Sequence, residues 1–234
     1  MNTNIQMQSA LLSDLNVSSS SSLYPTVTIQ LALNRAYQKA ATLFRWPMLS
    51  DAKVTSTIAN QEYYDEPSTW RPNSTWRLEI SSTLYGEGDD GSPLNFNDYL
   101  IWKSENTNST DKKWSVFNGF YFIYPTPTVN GSSDITIWGQ KNITELANDG
   151  DVTIFSYSMP ECNDAIVLEA GAILKKKGEL EKVGQMFSEE AKQILILAFQ
   201  KLGREKAKYE KIQPGWDIPD YFGRSQVEND IGRF

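Results

Sequence analysis

The hydrophobic period of this chain switches from that of strands to that of helices at one place, and the switch limits which folds are open to it. Between Ala52 and Tyr157 the apolar residues recur at every second position; from Pro160 onward they recur at every third and fourth. The switch lies within Phe120–Gly178. There an aromatic strand, Phe120-Tyr121-Phe122-Ile123-Tyr124, is stopped by Pro125 and Pro127, and Asp134-Ile135-Thr136-Ile137-Trp138 makes a second alternating strand. Met159-Pro160-Glu161 then leads into the helical run Asp164–Leu174. A β module passes directly into a helical one, so the chain before and after must supply partners to each half.

Further strands are expected at Val54–Ile58, Trp76–Ile80, Tyr99–Trp102, Trp114–Phe117 and Val152–Tyr157. The Asn118-Gly119 pair between Phe117 and Phe120 predicts a tight hairpin, because both positions of such a turn need positive φ. Gly86–Gly91 and the polar stretch Ser104–Lys113 read as loops. Seven or so short strands separated by turns predict a small sandwich or barrel-like module. Before it, residues 5–17 predict a short amphipathic helix, Ser18–Ser22 a serine linker, and Ile29, Leu33, Ala36, Tyr37, Ala40 and Phe44 the buried stripe of a helix ended by Trp46-Pro47.

After the switch, one helix is expected from Pro160 to Lys177 with Gly178 as its C-terminal cap. A second runs from about Glu179 to Lys211 along Val183, Phe187, Ala191, Ile194, Ala198 and Leu202. The short connection makes the two antiparallel neighbours. Ile194-Leu195-Ile196-Leu197-Ala198-Phe199 is apolar around the helix, so it needs cover on every side. Leaving about two large apolar side chains in water would forfeit about 3–6 kcal/mol. Ile194, Leu195, Ile196, Leu197 and Phe199 are therefore the expected subunit interface. The last segment mixes helix breakers with Trp216, Ile218, Tyr221, Phe222 and Phe234, side chains of the kind that anchor protein interfaces.

The fold class is then α+β: an antiparallel helical bundle from the N- and C-terminal helices, an inserted β-sandwich or barrel-like domain, and an extended C-terminal arm. The expected boundaries are 1–50 for the N-terminal helices, 51–158 for the β domain, 159–211 for the C-terminal helical pair and 212–234 for the arm.

Composition narrows the chemistry. The 234 residues include no histidine and a single cysteine, Cys162. A Ser-His-Asp triad, histidine-ligated zinc, cysteine metal clusters and internal disulfides are excluded by that alone. Carboxylate pairs such as Glu62 with Asp65 or Asp89 with Asp90 lie in turn-like polar sequence and read as solvated surface. No catalytic, cofactor or metal residues are expected. No apolar run is long enough to span a membrane, and the first residues carry no signal-peptide pattern, so the five Asn-x-Ser/Thr sites read as polar loops. The net charge is −7, concentrated in residues 51–160, which hold 7 basic against 15 acidic side chains, while residues 161–211 hold 10 against 9. A protein that grips nucleic acid needs a basic face, and this balance offers none.

The order of these pieces resembles the head-to-tail adaptor proteins of tailed phages. The residues that carry the resemblance are Phe44-Arg45-Trp46-Pro47, Tyr63-Tyr64-Asp65-Glu66-Pro67, Phe120–Pro127 and Met159-Pro160-Glu161, followed by the irregular C-terminal arm. The resemblance covers most of the chain in architecture, and sequence order carries more weight than any single motif. It implies a non-enzymatic structural protein in the neck or tail of a virion, assembled in the host cytoplasm, with no cofactor and no membrane. About twelve copies would form a ring. The arm, through Trp216, Ile218, Tyr221, Phe222 and Phe234, would dock on the portal protein. The opposite side would receive tail or nozzle proteins, and double-stranded DNA would pass through the channel without sequence-specific binding. Two other readings compete: a glycan- or surface-binding module using Trp70, Trp76, Trp102, Trp114 and Trp138, and a carboxylate-based wall-degrading enzyme.

Overall fold

Five α-helices and two antiparallel sheets make up the described residues of a computed structural model, which are 3–17, 24–88, 91–107, 109–177 and 180–210. They divide into two compact units: residues up to Phe44 together with those from Ile143 on, and the intervening Arg45–Asn142. The chain is thus mixed α and β, with the sheets confined to its middle.

The first unit holds α1 (Asn4–Asp14), α2 (Thr26–Leu43), α4 (Glu161–Lys177) and α5 (Glu181–Glu210). α4 lies against all three of the others and is buried around most of its circumference, with Cys162, Ala165, Ile166, Ala170, Ala172 and Leu174 all inside. Its small residues allow close approach. Gly171 sits between Phe187 of α5 and Leu11 of α1, and a Cβ placed there would already be 3.2 Å from the Phe187 ring. The pairs Glu161–Lys201, Glu169–Ser188 and Gly171–Phe187 run in opposite sequence directions, so α4 and α5 are antiparallel. Each fully buried Leu or Ile in this unit, such as Leu11, Leu33 and Ile166, contributes about 1.5–3 kcal/mol.

The buried side of α5 keeps Ala191 and Ala198 of the expected stripe but replaces Val183 and Ile194 by the residue that follows each. Gly184, Ala191, Leu195 and Ala198 are inside, whereas Val183 is exposed and Ile194 only half-buried. Sequence hydrophobicity favours the large side chains. Packing against α4 favours the small ones, because Gly184 passes the Ala172 carbonyl so closely that a Cβ would come within 2.9 Å of it.

The second unit contains a four-stranded sheet in the order β1 (Ser50–Thr55), β7 (Ile135–Gln140), β3 (Arg77–Ile80), β4 (Thr83–Tyr85). Its other sheet is three-stranded, in the order β2 (Tyr63–Asp65), β6 (Phe120–Tyr124), β5 (Lys113–Phe117). Both sheets contribute to one core, with Leu78, Ile135 and Ile137 from the first and Tyr64, Trp114, Tyr121 and Ile123 from the second. Strand alternation explains the choice: Tyr121 and Ile123 point inward while Phe120 and Phe122 point out. The β5–β6 hairpin turns at Asn118 and Gly119, with φ of 53° and 79° and Phe117 opposite Phe120, as the Asn-Gly pair requires.

Three expectations are corrected. Neither sheet closes on itself among the described residues, since β1, β4, β2 and β5 are all edges, so the barrel-like alternative falls. Tyr99–Trp102 is not a strand but part of α3 (Phe96–Glu105), where Asn95 caps the helix by accepting a hydrogen bond from the Asn97 amide at 3.0 Å. Phe96, Tyr99 and Trp102 recur at helical spacing and meet Phe122 or Tyr124 of β6, a pattern that a four-residue window cannot distinguish from alternation. Val152–Tyr157 is not a strand either. Val152 makes a single bridge to Thr3, and the following turn is held by the Ile154 amide donating to the Tyr37 hydroxyl at 2.9 Å. Segment 143–158 therefore belongs with the helices.

The β unit also carries a pH dependence. Burial alone would raise the Asp134 carboxyl, but hydrogen bonds from the Thr57 amide (2.7 Å) and hydroxyl (2.6 Å) outweigh it and hold it below the usual carboxylate range. Asp51 behaves alike: desolvation is outweighed by the Trp70 indole N–H and by Lys141 and Lys53. A depressed carboxyl contributes stability that is complete above its unfolded value, about pH 4, and lost as pH falls through its folded value. The urea midpoint should therefore drop as the pH falls below about 4, with a smaller drop in Asp134→Asn. A midpoint that stays level as the pH falls below about 4 would contradict the assignment.

Candidate functional site

The residues that the sequence singles out fall on three surfaces. The first is the apolar segment of α5. Leu195 is buried within the helical unit and lines a groove between α2, α4 and α5. Phe199 is used up in a parallel stack on Phe44, ring centroids 4.4 Å apart, and Ile194 and Ile196 are half-buried. Leu197 is different: it is 63% exposed. The five residues expected to act together are thus dispersed, and only Leu197 points fully outward. The portal-docking residues Trp216, Ile218, Tyr221, Phe222 and Phe234 lie outside the described residues.

The groove beside Leu195 encloses about 340 Å³, with alanines 36, 40, 165 and 191 among its walls. Glu169 reaches into it from α4 and is 8% exposed. Its carboxylate accepts from Lys39 Nζ of α2 at 2.7 Å and from the Ser188 hydroxyl of α5 at 2.7 Å, so one charge ties three helices. The sequence carried a signal for this in a lone carboxylate within the apolar run Ala165–Leu174, which must find a partner when buried. Nearby, Thr153, Ser156 and Asn163 hydrogen-bond to one another in the interior. Burial, with Glu161 and Asp164 close by, pushes the Cys162 thiol up to about 12 and keeps it protonated.

The second surface is the tryptophan set of the β unit. Trp70 and Trp114 are buried, 2% and 0% exposed. Trp76 and Trp138 lie under the guanidinium groups of Arg45 and Arg77, at 5.6 and 5.2 Å, and Trp102 meets Tyr124 edge-on. Their faces serve packing. The outward aromatics here are Tyr63 and Phe117, about half exposed, beside Phe96, Phe120 and Phe122 on the outer face of the three-stranded sheet. Sequence reasoning passed over this patch because it weighed tryptophan alone.

The third is the set of carboxylates. Glu62 is held by Lys103 at 2.6 Å and by the Tyr99 hydroxyl at 3.0 Å, rather than facing Asp65 across a cleft. Asp89 and Asp90 lie outside the described residues. Among the described residues no group of three or more His, Cys, Asp or Glu is arranged to hold a metal ion, and no helix is long and apolar enough to cross a membrane.

Among the described residues, exposed apolar side chains also stand on α2 and α5. On α2, Val27 and Leu31 are 79% and 46% exposed; on α5, Met186 joins Leu197 at 70%. The sequence signal for the first is that Val27 and Leu31 fall off the buried Ile29, Leu33, Ala36, Tyr37 stripe. Compared with known proteins, the chain matches no family model and no curated protein sequence.

Proposed function

We propose that this chain is a structural head-to-tail adaptor of the tailed-phage type, one copy of a ring placed between a portal and a tail. The observation that carries the reading is the architecture: helices from both ends of the chain form one unit, and the β unit is inserted between them at Arg45–Asn142. On this reading α1, α2, α4 and α5 are an antiparallel bundle, and the two sheets face one another as a sandwich. The bundle assembles the ring, and the arm from residue 212 docks on the portal. The acidic balance of the chain suits a conduit that DNA crosses without being held.

The test is mass photometry of the full chain with and without portal rings. The expected result is a ring-sized addition to the portal. Removing residues 214–234 should abolish docking and leave the circular dichroism spectrum of the remainder unchanged. A truncated chain that still docks would refute the role given to Trp216, Ile218, Tyr221, Phe222 and Phe234. A surface-ligand role has one observation in its favour, the outward aromatic patch of Tyr63 and Phe117. Binding on a glycan array that is lost in Tyr63→Ala would give it preference.

A further inference from the structure

Among the described residues, β1 is the longest open edge of either sheet. It spans six residues, and Ala52, Lys53, Val54 and Thr55 are all exposed. The other edges are shorter or covered. β2 and β4 have three residues each, and the Gln61 side-chain amide already donates to the Tyr63 carbonyl of β2. β5 is met by the Leu94 amide, which donates to the Trp114 carbonyl, and by the Gly86 amide, which donates to the Lys112 carbonyl.

The ladder fixes which groups of β1 face outward. The Lys141 amide donates to the Leu49 carbonyl, so these two form a hydrogen-bonded pair at the end of the β1–β7 register. Hydrogen-bonded and non-hydrogen-bonded pairs alternate along antiparallel strands. Asp51, Lys53 and Thr55 therefore turn their backbone groups to β7, while Ser50, Ala52 and Val54 turn theirs away. The far side of β7 agrees. The Ser81 amide donates to the Asp134 carbonyl, which assigns residues 134, 136 and 138 to β3 and leaves 135, 137 and 139 for β1. Among the described residues, the amides and carbonyls of Ala52 and Val54 then have no partner. The Ser50 amide donates to the Pro47 carbonyl, and its own carbonyl faces out.

A row of open donors and acceptors on a sheet edge fits one more extended strand. Two antiparallel registers of β1 on a second β1 would use these groups, and charge decides between them. One sets Lys53 opposite Lys53, which is destabilising; the other sets Ala52 opposite Ala52 and Asp51 opposite Lys53, twice over, which is favourable. Lys53 is free to make the exchange, because it is half-exposed and held only loosely, 3.8 Å from its own Asp51. The other contacts of Asp51 come from within its chain, Trp70 at 3.1 Å and Lys141 at 3.5 Å from one strand further in.

We infer that the open edge of β1 pairs antiparallel with β1 of a second copy of this chain, about a two-fold axis at Ala52. The two four-stranded sheets then continue into one another. The contact is isologous and closes on two copies. It goes beyond the adaptor reading and does not rest on it, since a ring is built from heterologous contacts.

The full chain is followed by sedimentation velocity over a concentration series, beside Val54→Pro. Proline at an edge position whose amide faces outward is compatible with the sheet, but it removes the donor and sets its ring in the path of an incoming strand. A concentration-dependent dimer is expected, with its dissociation constant raised about tenfold or more in Val54→Pro. The register is read by oxidising Ala52→Cys and Val54→Cys with copper phenanthroline, separately and mixed. Both positions are exposed, so chance collision would link them alike. A disulfide-linked dimer is expected through position 52 alone. The buried Cys162 provides the background, checked on the unsubstituted chain. A full chain that stays monomeric, a dimer unaffected by Val54→Pro, or a link through position 54 as strong as that through 52 overturns the inference. Circular dichroism checks the fold of Val54→Pro; if that fold is lost, the two cysteine variants decide by themselves.

Discussion

Gly139→Ala is expected to cost about 3 kcal/mol, an unusually large penalty for one methyl group. Gly139 lies in β7, the strand hydrogen-bonded on both sides to β1 and β3, and the Trp70 ring rests on it. A Cβ there would sit 2.1 Å from Trp70 Cε3 and 2.2 Å from Cζ3, well inside any tolerable contact. The ring has nowhere to go. Trp70 is 2% exposed, its Nε1–H donates to Asp51 Oδ2 at 3.1 Å, and its own backbone is fixed by the Pro67 carbonyl and the Asn142 side chain. The strand cannot yield either without breaking its pairing with β1 or β3. The measurement is the urea midpoint followed by tryptophan fluorescence. Trp70→Leu should recover part of the loss when combined with Gly139→Ala, although alone it destabilises by leaving a cavity. An unchanged midpoint in Gly139→Ala would show that the ring does not rest on the strand.

Trp114→Ala is the second large effect, about 3–5 kcal/mol. The side chain is 0% exposed, stands opposite Ile123 in the β5–β6 pair, and fills the core to which both sheets contribute. Its Nε1–H also donates to the Gly91 carbonyl at 2.9 Å, fixing the end of the glycine-rich loop. Two losses are therefore combined, packing and a buried hydrogen bond. Trp114→Phe separates them: much of the volume stays, the Gly91 carbonyl loses its donor, and the cost should fall to about 1–3 kcal/mol. Chemical denaturation of the two variants side by side reads both numbers. Equal costs would mean that the hydrogen bond, not the volume, holds this part of the core; a loss below about 1 kcal/mol in Trp114→Ala would contradict its placement.

What the sequence determined by itself was the class of each long element and the order in which they follow. The Asn118-Gly119 hairpin, β6, β7, α2, α4 and α5 were legible because their period, caps and turn residues are local properties, set within a few residues by backbone sterics and side-chain spacing. Tertiary structure decided what depends on neighbours distant in sequence. It made a helix of Tyr99–Trp102, because the aromatic outer face of β6 needed cover. It drew Val152–Tyr157 into the helical unit through Thr3 and Tyr37. It also set Gly184 rather than Val183 of α5 against α4. Hydrophobicity ranks which side chains would gain most from burial, but close packing decides which ones fit, and at a helix crossing this tight the smallest side chain takes the inside position.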